Sequence, residues 1–213
     1  MASPFARLVA SVAPGAGRRA AVIPQSWMQG RTCYGGITAA LALEGALHEL
    51  GSTAPPIRSA MLSFVGPASG NVEVESTILR RGASMAFVRS AVNCGGGIAT
   101  EAIFAFGAAR ETALPRLSAM APPPHDVGVV SPDFAFEGRP PFMDNFDICL
   151  VDRRVRGDMP CAGVAEVDNV YRIRHVGAGS DGLERVHPAT RLLALADAPP
   201  AALFSAATEP PKV

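Results

Sequence analysis

The chain has 213 residues, a formal net charge of zero, 18% charged residues and 48% hydrophobic residues. Balanced charge argues against nucleic acid as the main partner, and apolar runs such as Ile37–Leu43 are far too short to span a bilayer. The length allows one large core or two small ones, and the sparse charge implies apolar surface in a sheet, in helix seams or between copies of the chain.

The first acidic residue is Glu44, whereas Arg7, Arg18 and Arg19 precede it. That asymmetry resembles an organelle transit peptide. However, Arg19–Val22 runs as an extended segment into Ile23–Trp27, and no cleavage-like break precedes Trp27. The four cysteines, Cys33, Cys94, Cys149 and Cys161, show no C-x-x-C spacing. They read as reduced thiols of a cytoplasmic protein. Cys33 stands just ahead of a helix start, where a thiol pKa can fall, yet no histidine lies close in sequence to serve as its base.

The segment Trp27-Met28-Gln29-Gly30-Arg31-Thr32-Cys33-Tyr34-Gly35-Gly36 is the most informative. It leads into an alanine-rich helix, Ile37–Leu50, with Gly51 as a natural C-terminal cap. Two glycines opening a helix leave N–H groups that have no partner within the helix. Those groups and the helix dipole suit a carbonyl oxygen gaining negative charge. Gly35 and Gly36 are therefore candidate substrate-binding positions, against the alternative that they only permit tight helix–sheet packing. Tyr34 is a candidate wall of the substrate pocket or a structural aromatic. Glu44, about two turns into this helix, is a candidate catalytic carboxylate or a surface charge.

Beyond the breaker-rich loop 52–56 the period changes to that of strands. Ile57–Val65 reads as a largely buried strand, and Val72, Val74, Ser76 and Ile78 alternate along the next. Residues 80–83 read as a turn, Met85–Asn93 as a third strand, 94–97 as a glycine-rich turn and Ile98–Ala108 as a fourth strand. A helix followed by an antiparallel meander is an α+β pattern in which the sheet curls around the helix. Residues 114–141 are proline-rich and read as a crossover.

The theme then restarts with strands at Phe146–Arg153 and Val167–Val176, a turn at Gly177–Gly182, and a helix at Thr190–Ala198 stopped by Pro199-Pro200. The turns around Glu44 (Ala40–Ala46) and Asp197 (Leu192–Ala198) form a weak internal repeat that brings the two carboxylates to within one position of each other. An Asp in an apolar helix has its pKa raised, which suits proton uptake near neutral pH.

The Trp27–Gly36 motif, the meander, the proline-rich crossover and the Leu-Ala-Leu-Ala-Asp-Ala-Pro-Pro run at 193–200 together resemble the acyl-CoA thioesterase II-like family. The resemblance covers nearly the whole chain. It implies a double hotdog, two antiparallel sheets each wrapped around a long helix. It divides the chain into an N-terminal hotdog at 1–113, a crossover at 114–143 and a partial C-terminal hotdog at 144–213. It also implies Asp197 as the general base of thioester hydrolysis, with acyl-CoA as substrate and no cofactor. Glu44 departs from the family pattern, although simpler single-hotdog thioesterases use a helix carboxylate at that distance from a Gly-Gly. In the family three or more strands follow the second helix, roughly 40–60 residues, so the chain is truncated or its second sheet is completed by another chain. A homo-oligomer is expected on that account.

Other chemistries find little support. His48, His125, His175 and His187 lack metal-ligand spacing, no G-x-S-x-G elbow occurs, and Gly15 and Gly17 lack the third glycine of a dinucleotide loop. Arg80 and Arg81 can attract coenzyme A phosphates or sit on a solvated hairpin. Two other functions stay open: a hotdog dehydratase of 3-hydroxyacyl thioesters, and an acyl-CoA-binding or assembly subunit without chemistry.

Overall fold

The computed structural model describes residues 3–12, 17–111, 138–156, 166–176 and 182–198. The chain begins with a short helix, α1 (Pro4–Ala10), which the sequence reading did not anticipate. Its signals were present: Ser3 caps Ala6 N–H through its hydroxyl, Pro4 opens the helix, and Phe5, Leu8, Val9 and Val12 bury one face. The segment then extends as β1 (Arg18–Ile23).

The Trp27–Gly36 motif resolves into parts with separate tasks. Trp27, fully buried, packs edge-on against Phe5 and Phe146. Gly30 adopts φ +68°, turning the tiny hairpin of β2 (Met28–Gln29) and β3 (Thr32–Cys33). Tyr34 N–H donates to Trp27 C=O at 2.9 Å, closing that loop under the helix that follows.

Helix α2 (Gly35–Leu50) is buried along nearly its whole length, from Gly36 to Leu43 and again at Gly45, Ala46 and Leu50. A helix whose first turns are apolar all round needs cover on every side there. The first cover is a five-stranded antiparallel sheet ordered β1-β5-β6-β7-β4, with β4 (Ile57–Phe64), β5 (Gly70–Arg81), β6 (Met85–Cys94) and β7 (Gly97–Gly107). Its helix-facing side presents Val72, Val74, Val88, Val92, Phe104 and Phe106, all buried. Burial of each such side chain stabilises the fold by about 1.5–3 kcal/mol. Gly45 sits where helix and sheet approach most closely, above the hydrogen-bonded Ser76 and Ser90 hydroxyls.

The meander expected from the sequence is present in order, with two corrections. β5 runs on through Arg81, so the turn before β6 starts only at Gly82. β4 is an edge strand rather than a buried one. It pairs only with β7, and most of its residues are exposed. An apolar run marks a strand but does not reveal that its position lies beyond the reach of α2.

In the second half, β8 (Phe146–Arg156) and β9 (Glu166–His175) form an antiparallel hairpin, with Phe146 opposite His175. Helix α3 (Pro188–Ala196) follows. It starts two residues earlier than its sequence pattern indicated, because His187 and Pro188 act as cap and first helical residue. The predicted crossover core at 114–137, most of the turn at 177–182 and the Pro199-Pro200 stop lie outside the described residues.

A Cβ added at Gly45 would stand 2.5 Å from Ser76 Oγ and 2.6 Å from Val74 Cγ1. Gly45→Ala is expected to lose about 1–2 kcal/mol of stability in urea denaturation, because overpacking outweighs the roughly 1 kcal/mol that alanine adds to helix propensity.

Candidate active site at the start of the long helix

Helices α2 and α3 pack antiparallel, and three polar contacts join them. At one end Thr190 Oγ1 donates to Glu44 Oε1 at 2.6 Å. In the middle Tyr34 Oη donates to Ala194 C=O at 2.5 Å. At the other end Gly36 N–H donates to Asp197 Oδ2 at 3.0 Å. Residues 161 positions apart in sequence thus meet where the N-terminus of α2 faces the C-terminus of α3.

The sequence supplies this geometry piece by piece. Tyr34 is the N-cap of α2, but its side chain makes no capping bond. Its ring is buried and stacks on Phe142 at 4.4 Å with the planes 3° apart. A Cβ on Gly36 would collide with that ring at 2.5–2.6 Å, so glycine is required for the aromatic to lie beneath the first turn. With no side chain capping the helix, Gly36 N–H is left for Asp197, and Gly35 N–H has no partner among the described residues. A Cβ on Gly35 would stand 2.7 Å from Asp197 Oδ2 and 3.1 Å from the Phe64 ring. The missing side chain leaves a small space bounded by a carboxylate, an aromatic edge and a helix N-terminus.

Asp197 is the C-cap of α3 rather than a residue deep within it. As a residue it is exposed, yet its carboxylate is tucked against the first turn of α2. Partial burial raises its pKa, and the Gly36 hydrogen bond opposes that rise. Tyr34 Oη is likewise pushed upward, first by burial and then by the charge of Asp197.

The carboxylate pairing anticipated from the repeat has a structural counterpart. The sequence offset that carries Glu44 to Asp197 also carries Tyr34, the N-cap of α2, to His187, the N-cap of α3. Each carboxylate reaches the first turn of the opposite helix. The two ends differ in chemistry, however. At α3 the residue following the cap is Pro188, which has no N–H, and Ala189 N–H is already held by His187 Nδ1 at 3.2 Å. The α3 start is closed by its own residues, whereas the α2 start is open.

Cys33 does not have the environment its position suggested. It is buried beside the loop, and desolvation, with Cys94 nearby, pushes its thiol up to about 12 despite an opposing backbone hydrogen bond. Cys33 and Cys94 are free thiols; Cys161 lies outside the described residues. Among the described residues no three His, Cys, Asp or Glu side chains gather as a metal site, and no helix is long and apolar enough to cross a membrane. Arg81 Nη2 donates to Thr53 Oγ1 at the surface. Sequence reasoning missed Phe64 and Thr190; their only signals were an aromatic ending an apolar strand and a hydroxyl in the first turn of a helix.

Comparison with known proteins agrees with this architecture. Residues 23–107 match the family model described as the acyl-CoA thioesterase N-terminal domain. A conserved hot dog fold protein of unknown function from Alicyclobacillus acidocaldarius superposes with a TM-score of 0.74 at 18% identity, covering 96% of this chain and 72% of that one. A tesB protein from Mycobacterium avium subs paratuberculosis gives 0.62 at 14% identity over 92% and 70% of the two chains. The acyl-CoA thioesterase II TesB2 of Mycobacterium marinum gives 0.59 at 17% identity over 91% and 66%. A putative thioesterase II from Thermobifida fusca is covered over only 54% of its length. No curated protein sequence matches. The structural likenesses establish the hotdog fold, and the resemblance to thioesterase II-like proteins read from the sequence is borne out.

His175 contributes to the seating of α3. It is buried, stacks on Phe5 at 4.4 Å, tilts against Phe146, and its Nε2 lies 3.2 Å from Arg191 C=O in α3. Nδ1 has no partner among the described residues, which matches a neutral ring donating through Nε2. Burial lowers its pKa below the ordinary 6.5; the bond to Arg191 C=O opposes this, and the Arg191 charge adds slightly to the lowering. The unfolded chain therefore binds a proton that the folded chain refuses. The stability linked to His175 is complete above about pH 6.5 and falls as the pH drops below it. Melting temperature is expected to decline from pH 7 towards pH 5. His175→Phe, which keeps the stacked ring, is expected to flatten that slope.

Proposed function

We propose that the protein hydrolyses an acyl-CoA thioester to the free acid and coenzyme A at the start of α2. One observation carries this reading: Asp197 of α3 reaches an open helix N-terminus built by Gly35 and Gly36, with its carboxylate 3.0 Å from Gly36 N. A carbonyl oxygen seated over Gly35 meets N–H groups and the positive end of a 16-residue helix. As it enters it takes over the Gly36 donor from Asp197, freeing that carboxylate to hold a water.

The chemistry follows from those positions. Asp197 accepts a proton as water attacks the thioester carbon, and the oxygen that becomes negative is held by the Gly35 and Gly36 N–H groups. Collapse of the tetrahedral intermediate breaks the C–S bond, and Asp197 returns the proton to the departing thiolate. A carboxylate whose pKa is raised by burial is suited to both steps. The match of residues 23–107 to the thioesterase domain model supports a thioester substrate. A homo-oligomer belongs to the same reading, since β1 and β4 are the outer strands of the sheet.

Glu44 fits a supporting part better than a catalytic one. It is engaged by Thr190, and the α3 start it faces has no free donor at its first two positions. The dehydratase alternative requires a histidine at the working site, whereas the helix-start histidine, His187, caps α3 and not α2.

Thiol release from an acyl-CoA panel tests the reading directly. Asp197→Asn is expected to cut turnover by about 10²-fold or more with substrate affinity retained, whereas Glu44→Gln, which keeps an acceptor for Thr190, has a much smaller effect. Asp197→Asn is also expected to raise the melting temperature at neutral pH, because it removes a charge that burial disfavours. That gain should vanish at acid pH, where the wild-type carboxyl is protonated. Absence of thiol release for every chain length would overturn hydrolysis, and an essential Glu44 beside a dispensable Asp197 would move the site to the other end of the helix pair.

A further inference from the structure

Phe64 is a large apolar side chain in an unexpected setting. It ends β4 and pairs across the ladder with Thr100, which is buried. Directly opposed residues in a sheet share a face, so Phe64 belongs to the helix-facing side with Leu62, Thr100 and Phe104, not to the outer side with Met61 and Ile103. Thr100 confirms that assignment, since its hydroxyl donates to Thr38 Oγ1 of α2 at 2.7 Å. Yet Phe64 is 54% exposed, whereas Phe104 on the same face is fully buried. The difference is lateral. β4 is the edge strand, and Phe64 stands beside the first turn of α2 rather than beneath the helix body.

Its edge borders the Gly35 space. Phe64 Cε1 and Cζ both lie 3.1 Å from the position a Gly35 Cβ would take, and Asp197 Oδ2 lies 2.7 Å from that position. An inward-facing aromatic half open to solvent, a carboxylate and an unused helix N–H thus converge on one point. We infer that Phe64 is the apolar wall that receives the acyl chain of the thioester and sets its length preference. This rests on the proposed thioester site and assigns the group lying next to its carbonyl. A carbonyl seated at the α2 N-terminus leaves its alkyl substituent against the Phe64 ring, the exposed apolar surface at that point. Burial of a few methylenes there discriminates chains, because each is worth about 0.8 kcal/mol.

The experiment separates the wall from the chemistry. Non-hydrolysable acyl-CoA thioethers carrying acetyl-, butyryl- and octanoyl-length chains are titrated calorimetrically into the full chain and into Phe64→Ala and Phe64→Trp. Thiol release from the matching thioesters is followed in parallel. Phe64→Ala is expected to weaken the octanoyl analogue about 10-fold relative to the acetyl one. Phe64→Trp is expected to shift the preference towards shorter chains. Since Phe64 is half exposed, melting temperatures should stay close to wild type.

A shifted length profile in binding without any thiol release would sustain the wall and sink hydrolysis. Thiol release with the same length profile in all three proteins would sink the wall and sustain hydrolysis. Failure of every analogue to bind the wild type overturns both. Loss of self-association in Phe64→Ala, seen by sedimentation with an unchanged length profile, would assign the ring to a contact between copies and overturn the proposal.

Discussion

Helix α2 is buried on every side from Gly36 to Leu43, and that constraint organises the rest of the molecule. A sheet covers one flank of a helix and no more. The five strands of the meander accept Val74 and Phe104 against α2, with Gly45 permitting close approach. The opposite flank has to be closed by other elements. It is closed by α3 and by the aromatic group of Tyr34, Phe142, Phe146, Trp27 and Phe5. The second half of the chain is therefore a packing requirement of the first. The same packing delivers Asp197 to the α2 start.

The two helices follow an approximate two-fold arrangement, and the site depends on the way it is broken. Each has a carboxylate aimed at the first turn of the other. At α3 the cap and the proline close the helix start, and the acid facing it binds a threonine hydroxyl. At α2 the cap residue turns its side chain away to reach Ala194 C=O, leaving the backbone donors accessible. A paired glycine makes this possible, since any side chain on Gly36 would occupy the place of the Tyr34 ring. The open end takes its partner from the other helix, where the Gly36 N–H donates to Asp197, instead of from its own cap residue.

Much of the fold was legible because it is written in local periodicity. The 3.6-residue spacing of α2, the alternation of β5 and the glycine turn before β7 are properties of short segments, and they emerged where the pattern placed them. The errors share one origin. β4 was read as buried because Ile57, Met61, Leu62 and Phe64 are apolar, but exposure of an edge strand is a property of the sheet order. α1 has Ser3-Pro4 and the Phe5–Val12 spacing as local signals, but a helix of seven residues holds only when its apolar face is packed. Cys33 was read from its distance to a helix start, whereas its pKa is governed by the desolvation that only packing imposes.

The sequence by itself determined the long helix, the meander that follows it and the glycine pair that opens α2, because each depends on residue type and near-neighbour spacing, and its motifs carried the resemblance to hotdog proteins. Tertiary structure alone decided which carboxylate meets an open helix end, that the Tyr34 hydroxyl bonds Ala194 of α3, and that Phe64 stands beside Gly35. Those are contacts between residues as far apart as 161 positions. They follow from the antiparallel seating of one helix across another, and no local pattern in the chain encodes that seating.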